Sequence, residues 1–384
     1  MWLYPPSKIE DGHEQTKHLE DVIFSGGLKP IILIGRCTGI ISRSDVLKNV
    51  EAPRTVTVAS VITGSLSVFY FFNAILLTRT TFLGNHEKRS LADKLWDFQF
   101  PGYNFSMFFV YAYLLFATRR FRTIAQNFMS SPSKIQLPKR FRRFCWIVTI
   151  IWLILALVEN VFCDILVLQK ASSEMRKSNT SVLEFYYRTN YAHWKSLIQY
   201  HPTITLFNVV LLKCGTFGWL HCDVLVVVLT RAVVEKFRCL NSAMEIIITN
   251  RFRKNSLLET MEPTTAVELK WVVIHDEFLL LRKLTQEVQR LIAPLIMACY
   301  GINIYIIVIS LYNWIAPNSA ATLTLEQLLH VYAFIQFLFR VLSLTYFASE
   351  VHHANRNILG TIHQCPNTLY SQSVSINKTI RRIR

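Results

Sequence analysis

Residues Phe144–Leu168 read FCWIVTIIWLILALVENVFCDILVL. The stretch carries charge only at Glu159 and Asp164, and it exceeds the roughly 20 residues that cross a bilayer core. Lipid offers backbone N–H and C=O groups no partner, so such a stretch satisfies itself as a helix. Lys139, Arg140, Arg142 and Arg143 stand just before it. Working outward, comparable stretches lie near 56–78, 102–118, 204–230, 291–312 and 326–348. Assigned alternately from an inside N-terminus, 30 basic residues fall on the cytosolic side and 9 outside, with Lys213 and Arg340 inside spans. The positive-inside rule therefore places both termini in the cytosol. The expected fold is all-α: a polytopic membrane protein with six visible transmembrane helices.

Composition agrees. Of the residues, 52% are hydrophobic and 17% charged, against about 25% charged in soluble domains. The net charge of +16 does not point to nucleic acid, because the basic residues cluster beside spans (Arg119, Arg120 and Arg122 are a second group). Anionic membrane lipid is the partner such clusters fit. The first twenty residues are polar, so no cleavable signal peptide is expected and the first span acts as the insertion signal. Cys37, Cys239 and Cys365 fall on the cytosolic side, and Cys145, Cys163, Cys214, Cys222 and Cys299 in or beside spans. The outside loops hold no cysteine, which excludes a disulfide-stapled ectodomain. Asn179-Thr180-Ser181 is a glycosylation sequon in an outside loop, consistent with delivery to the plasma membrane.

Five regions follow. Residues 1–55 form a cytosolic N-terminal segment, in which the broken apolar run 27–41 reads as a short interfacial helix. Residues 56–230 hold transmembrane helices 1–4 and the ligand-pocket region. Residues 231–290 form a cytosolic helical loop for assembly or anchoring. There, apolar residues from Val267 to Leu291 recur at helical spacing and need a partner face. Residues 291–348 hold helices 5 and 6, and 349–384 a cytosolic C-terminal segment. The second outside loop, 169–203, carries Phe185, Tyr186, Tyr187, Tyr191, Trp194 and Tyr200. Such rings make an interfacial belt or a lid over an outward-facing pocket. No internal repeat of the kind common in transporters is visible.

Ionisable groups inside spans cost about 2.5–3.5 kcal/mol at mid-membrane, so each calls for a role. Glu159, Asn160 and Asp164 fall in the outer half of span three, with Lys213 of span four at similar depth. They make either a register-fixing pair (Glu159–Lys213 or Asp164–Lys213) or a polar, hydrogen-bonding pocket. Deeper, Asp223 and Arg340 lie at comparable levels and are expected to form a structural ion pair. His221, Cys222 and Asp223 point around a helix and cannot converge on one metal. His352, His353, His363 and Cys365 lack supporting ligands for zinc. No phosphate loop, zinc-protease helix or nucleophile elbow occurs, so neither enzyme activity nor a cofactor is expected.

Several patches resemble insect gustatory receptors, most closely the sugar-sensing branch. They are Leu28-Lys29-Pro30-Ile31 through Gly35-Arg36-Cys37-Thr38-Gly39, Leu155-Ala156-Leu157-Val158-Glu159-Asn160, and Thr216-Phe217-Gly218-Trp219-Leu220-His221-Cys222-Asp223. Further patches are the helix from Trp271 into Ile292-Ala293-Pro294-Leu295-Ile296 and Asn303-Ile304-Tyr305, and Arg340-Val341-Leu342-Ser343-Leu344 with Ala348-Ser349. The resemblance implies a tetrameric, sugar-responsive ligand-gated cation channel with seven spans, a ligand pocket in the outer half of the helices and a pore lined by span seven. The partners it implies are a small-molecule tastant and other receptor subunits in homo- or hetero-oligomers. The ligand-binding candidates are Glu159, Asn160, Asp164, Tyr103, Trp194 and Tyr312, since sugars take carboxylates and amides on their hydroxyls and aromatic faces on their C–H surfaces.

The sequence departs from the pattern at its end: it stops at Arg384 without the seventh span, and Thr345-Tyr346 lies in span six. The alternative expectation is therefore a non-conducting accessory or dominant-negative subunit. A third reading, an unrelated six-span transporter, lacks the broken helices and repeats it would need.

Overall fold

A computed structural model describes residues 58–83, 91–129, 138–178, 181–194, 198–256, 264–315 and 325–363. The 27–41 segment, Cys37, Cys365 and Asn179 lie outside the described residues. Among the described residues all regular structure is helical: α1 (Val58–Leu83), α2 (Leu91–Met129), α3 (Lys139–Ser178), α4 (Val182–Asn190), a 3-10 turn (Ala192–Trp194), α5 (Pro202–Ser256), α6 (Thr264–Ile315) and α7 (Leu325–His363).

Five helices hold stretches long and apolar enough to cross a membrane: Ser60–Phe82, Arg140–Ser172, Pro202–Ile246, Val273–Tyr312 and Gln327–Thr361. The stretch 102–118 lies in α2, which falls short of that composition. Tyr103, Asn104, Ser106, Tyr111 and Tyr113 dilute its apolar character. Packing holds it in the bundle instead, with Met107, Val110, Tyr111 and Leu114 buried against α1, α5 and α6.

α5 is the central post. Its most apolar window is 89% buried, whereas the corresponding windows of the other four spans are 17–39% buried. Val224 to Leu229 are all buried, as expected for a helix apolar on every side and enclosed by neighbours. α3 shows the opposite pattern: Ile147, Ile150, Ile154, Leu157, Val161 and Ile165 are exposed and form an apolar outer face.

At 55 residues, α5 is about 80 Å long and far exceeds a bilayer core. The region 231–290 is thus largely helical: α5 continues through it to Ser256 and α6 enters from Thr264. There Arg231 binds Glu235 (2.6 Å) and Glu350 (2.8 Å), while Arg238 binds Glu235 (3.1 Å) and Glu350 (2.9 Å). This network ties α5 to α7, and Arg231 also lies over the Phe144 ring of α3.

Two local features close the packing. Pro294 sits inside α6 and supplies no N–H, which deprives the Arg290 carbonyl of its helical donor. Tyr113 of α2 donates its hydroxyl to that carbonyl (3.1 Å) and to Leu291 O (2.9 Å), the cross-helix repair that membrane prolines require. On α5, Gly215 and Gly218 admit tyrosines of neighbouring helices. The Tyr70 hydroxyl reaches Leu211 O (2.5 Å) and the Tyr111 hydroxyl reaches Cys214 O (2.9 Å).

Candidate ligand site

The interior polar residues form two layers one helical turn apart. In the lower layer Arg340 Nε of α7 donates to Asp223 Oδ2 of α5 at 2.6 Å, and both side chains are buried (8% and 0% exposed). Trp152 of α3 donates its indole N–H to the same oxygen at 3.4 Å, and Cys299 of α6 stands beside the carboxylate. The guanidinium lies over the rings of Trp219 (5.4 Å) and Phe337 (5.2 Å), contacts worth about 2 kcal/mol when desolvated.

The upper layer lies one turn nearer the α4 end. Glu159 Oε2 of α3 accepts from Gln336 Nε2 of α7 at 2.8 Å, four residues before Arg340. Trp219 precedes Asp223 by one turn, and Asn303 follows Cys299 by one turn. Tyr103 of α2 packs its ring 6.3 Å from that of Trp219 and lies within electrostatic reach of Glu159 and Arg340. Many polar atoms here have no hydrogen-bond partner among the described residues. They are both amide atoms of Asn303, Trp219 Nε1, Gln336 Oε1, Asp223 Oδ1 and Arg340 Nη2, and both ring nitrogens of His221. The Tyr103 hydroxyl sits beside Thr216 without a well-formed bond. Buried polar atoms are nearly always paired, so this concentration leaves hydrogen-bonding capacity open to water or a bound molecule.

Other predicted residues fall elsewhere. Asp164 Oδ1 accepts from Lys213 Nζ at 2.7 Å across α3 and α5, and the pair is part-exposed. Asn160 bonds back to Ala156 O of its own helix at 2.8 Å. Trp194 is on the 3-10 turn, stacked on Phe69 at 6.3 Å, and donates to Asn73 Oδ1 at 3.0 Å. Tyr312 is 54% exposed on the outside of the bundle. Tyr103 and Glu159 are therefore the two predicted ligand residues that share one interior layer.

A family model described as "Trehalose receptor" matches residues 8–379. The chain belongs to the trehalose receptor family. It is a membrane chemoreceptor and not an enzyme, and the resemblance to the sugar-sensing branch of the gustatory receptors is shown. In fold, this receptor is similar to the insect olfactory receptor OR5 from Machilis hrabei (TM-score 0.61, 13% identity, 96% of this chain and 90% of that one). It is similar also to the same olfactory receptor in complex with eugenol (TM-score 0.60, 14% identity, the same coverage). No curated protein sequence matches it.

Gln336, Asn303, Trp152 and Cys299 were not singled out from the sequence as site residues. Only one signal was available for them: a polar or soft side chain inside a span, spaced one turn from another. Among the described residues no group of three or more His, Cys, Asp or Glu could hold a metal ion.

Proposed function

We propose that this receptor is a gustatory, ligand-gated cation channel subunit that binds a sugar in the upper layer, between Tyr103, Glu159, Trp219, Asn303 and Gln336. The observation that carries the reading is the set of unpaired polar atoms beside Glu159. A sugar hydroxyl donates and accepts at once, and the layer offers both: Trp219 Nε1 and Asn303 Nδ2 as donors, Asn303 Oδ1, Gln336 Oε1 and the Glu159 carboxylate as acceptors. The faces of Tyr103 and Trp219 suit sugar C–H surfaces. The Arg340–Asp223 pair is the floor, and Asp164 with Lys213 forms a polar rim toward the α4 end. Asn160, Trp194 and Tyr312 are outer contacts at most, Trp194 through the loop.

In this reading the N-terminus is cytosolic, the α4 end faces outward and the receptor sits in the plasma membrane. Residues 1–55 and 349–384 are then cytosolic flanks, and 56–230 with 291–348 carry the pocket. The helical region 231–290 mediates assembly with like subunits. The charge distribution supports that orientation.

The test is sugar-evoked cation current in cells expressing the chain. Glu159→Gln keeps an acceptor for Gln336 but removes the charge. A charge-assisted hydrogen bond exceeds a neutral one by about 1 kcal/mol, so the half-maximal sugar concentration should rise about fivefold with surface expression unchanged. Lost surface expression would make Glu159 structural. Absence of any current, with suppression of a co-expressed partner's current, would favour a non-conducting accessory subunit.

A further inference from the structure

We propose that Ser181–Trp194, comprising α4 and the 3-10 turn, is a strap across the α4 end of the bundle, latched to α1 through Asn73, and that its release admits ligand to the upper polar layer. The meaning of the latch as an entry gate rests on the ligand reading above; the latch itself stands on the geometry below.

The strap bridges two sides of the bundle. α4 packs on α3 and α5, while the 3-10 turn reaches across to α1. It is stiff in itself: Ser181 caps the Glu184 N–H, and the Tyr187 hydroxyl donates to Ile198 O. On α1 it is held by one polar anchor. Asn73 Oδ1 accepts from His193 Nε2 at 2.6 Å and from Trp194 Nε1 at 3.0 Å. Its amide N–H donates to Asn104 Oδ1 of α2 at 2.7 Å. A single amide therefore ties the strap to α1 and α2 together. Beside that anchor Trp194 stacks on Phe69, a contact that can slide apart without leaving a buried polar group unpaired.

The anchor is set deep. Asn73 lies about 15 Å from the Leu83 end of α1 at the helical rise, so the turn descends into the bundle rather than resting on its rim. Beneath it stands Tyr70, one turn further in, which bonds Leu211 O of α5 and stacks on Tyr111 of α2 at 5.6 Å. Tyr70 and Tyr111 thus form a column leading inward beneath the anchor, with Tyr111 on Cys214 O and Tyr103 beside Gly215. Withdrawing the strap uncovers the head of that column and leads to the layer of unpaired atoms. Water satisfies Asn73, His193 and Trp194 once they part, so opening costs their mutual bonds and the ring contacts beside them.

Cys214, half-buried under the column, reports opening without any sugar. The experiment is alkylation by N-ethylmaleimide of the full chain in detergent, read at each cysteine by peptide mass spectrometry. Reaction through a transient open state follows the open population. Removing bonds of ordinary strength by Asn73→Ala should raise the Cys214 rate at least about fivefold. Cys222 and Cys299, fully buried near the floor, should react at unchanged rates. His193→Gln, whose amide N–H replaces the imidazole donor, should react like the parent. An unchanged Cys214 rate in Asn73→Ala overturns the latch. So does a parallel rise at Cys222 and Cys299, which would make Asn73 general packing. Failure of a sugar assay with this alkylation pattern intact would fault the ligand reading and leave the latch standing.

Discussion

At the residue scale, the Asp223–Arg340 pair shows what the interior tolerates. Both side chains are buried, and the carboxylate collects Arg340 and Trp152, with Cys299 beside it. Removing one partner strands the other charge, at a cost of about 3–5 kcal/mol. Asp223→Asn is therefore expected to lower the thermal midpoint of the detergent-solubilised protein by several degrees or abolish expression. The double change Asp223→Leu with Arg340→Met, which removes both charges, should recover most of the loss in the same melting assay. A double variant no better than the single one would show that orientation, not charge neutrality, is what the pair supplies. The residues were visible in the sequence because a charge inside a span stands out. Their partners were not. Trp152 and Cys299, like Gln336 against Glu159, look like ordinary span residues until the helices are placed side by side.

At the element scale, close approach is set by small residues and by the strap. A Cβ on Gly218 would fall on the Tyr111 hydroxyl and 2.8 Å from its Cζ, and one on Gly215 would lie 2.9 Å from the Tyr103 hydroxyl besides meeting Tyr70. Gly218→Ala should force Tyr111 off Cys214 O and cost about 1–3 kcal/mol as overpacking, measured as a lower thermal midpoint. Ser at that position should be no better. Tyr111→Phe combined with Gly218→Ala should recover part of the loss, because the clash is with the hydroxyl.

The strap carries a pH dependence. Burial holds His193 down at about 4 from its usual 6.5. α1 presents Asn73 to it, and Tyr191, just after α4, lies beside its ring. The charged groups of those two elements are Arg79, exposed, and Glu184 paired with Arg188. With the folded value below the free one, the released strap binds more protons between about pH 6.5 and 4, so latching weakens as pH falls through that window. Expressed against His193→Gln to cancel the thiol's own titration, Cys214 alkylation of the parent should rise on acidification from pH 7 to 4.5. A flat ratio would mean that His193 does not titrate with the latch. The aromatic richness of 169–203 was legible as a belt or a lid, but the sequence could not choose. The choice depends on Asn73, more than a hundred residues away.

At the scale of the whole molecule, the helices are sorted by what surrounds them. α5 is enclosed and α3 faces outward, although both read as apolar spans. Ile154, 54% exposed near the middle of α3, should take a charge directly into lipid. Ile154→Lys is expected to cost about 2.5–3.5 kcal/mol and to reduce membrane-integrated protein, measured by carbonate-resistant yield, whereas Ser172→Lys near the end of the span should not. Equal yields would place that face against protein rather than lipid. What the sequence by itself determined is the helical class, the run of spans and the charged positions that need partners, because lipid imposes hydrogen-bond closure within each segment and penalises every charge. Which helix stands at the centre, that Glu159 meets Gln336 while Lys213 takes Asp164, and that a loop histidine locks onto Asn73 were decided only by the tertiary structure. These depend on helix rotation and depth, and where every face of a span is apolar, periodicity does not record rotation.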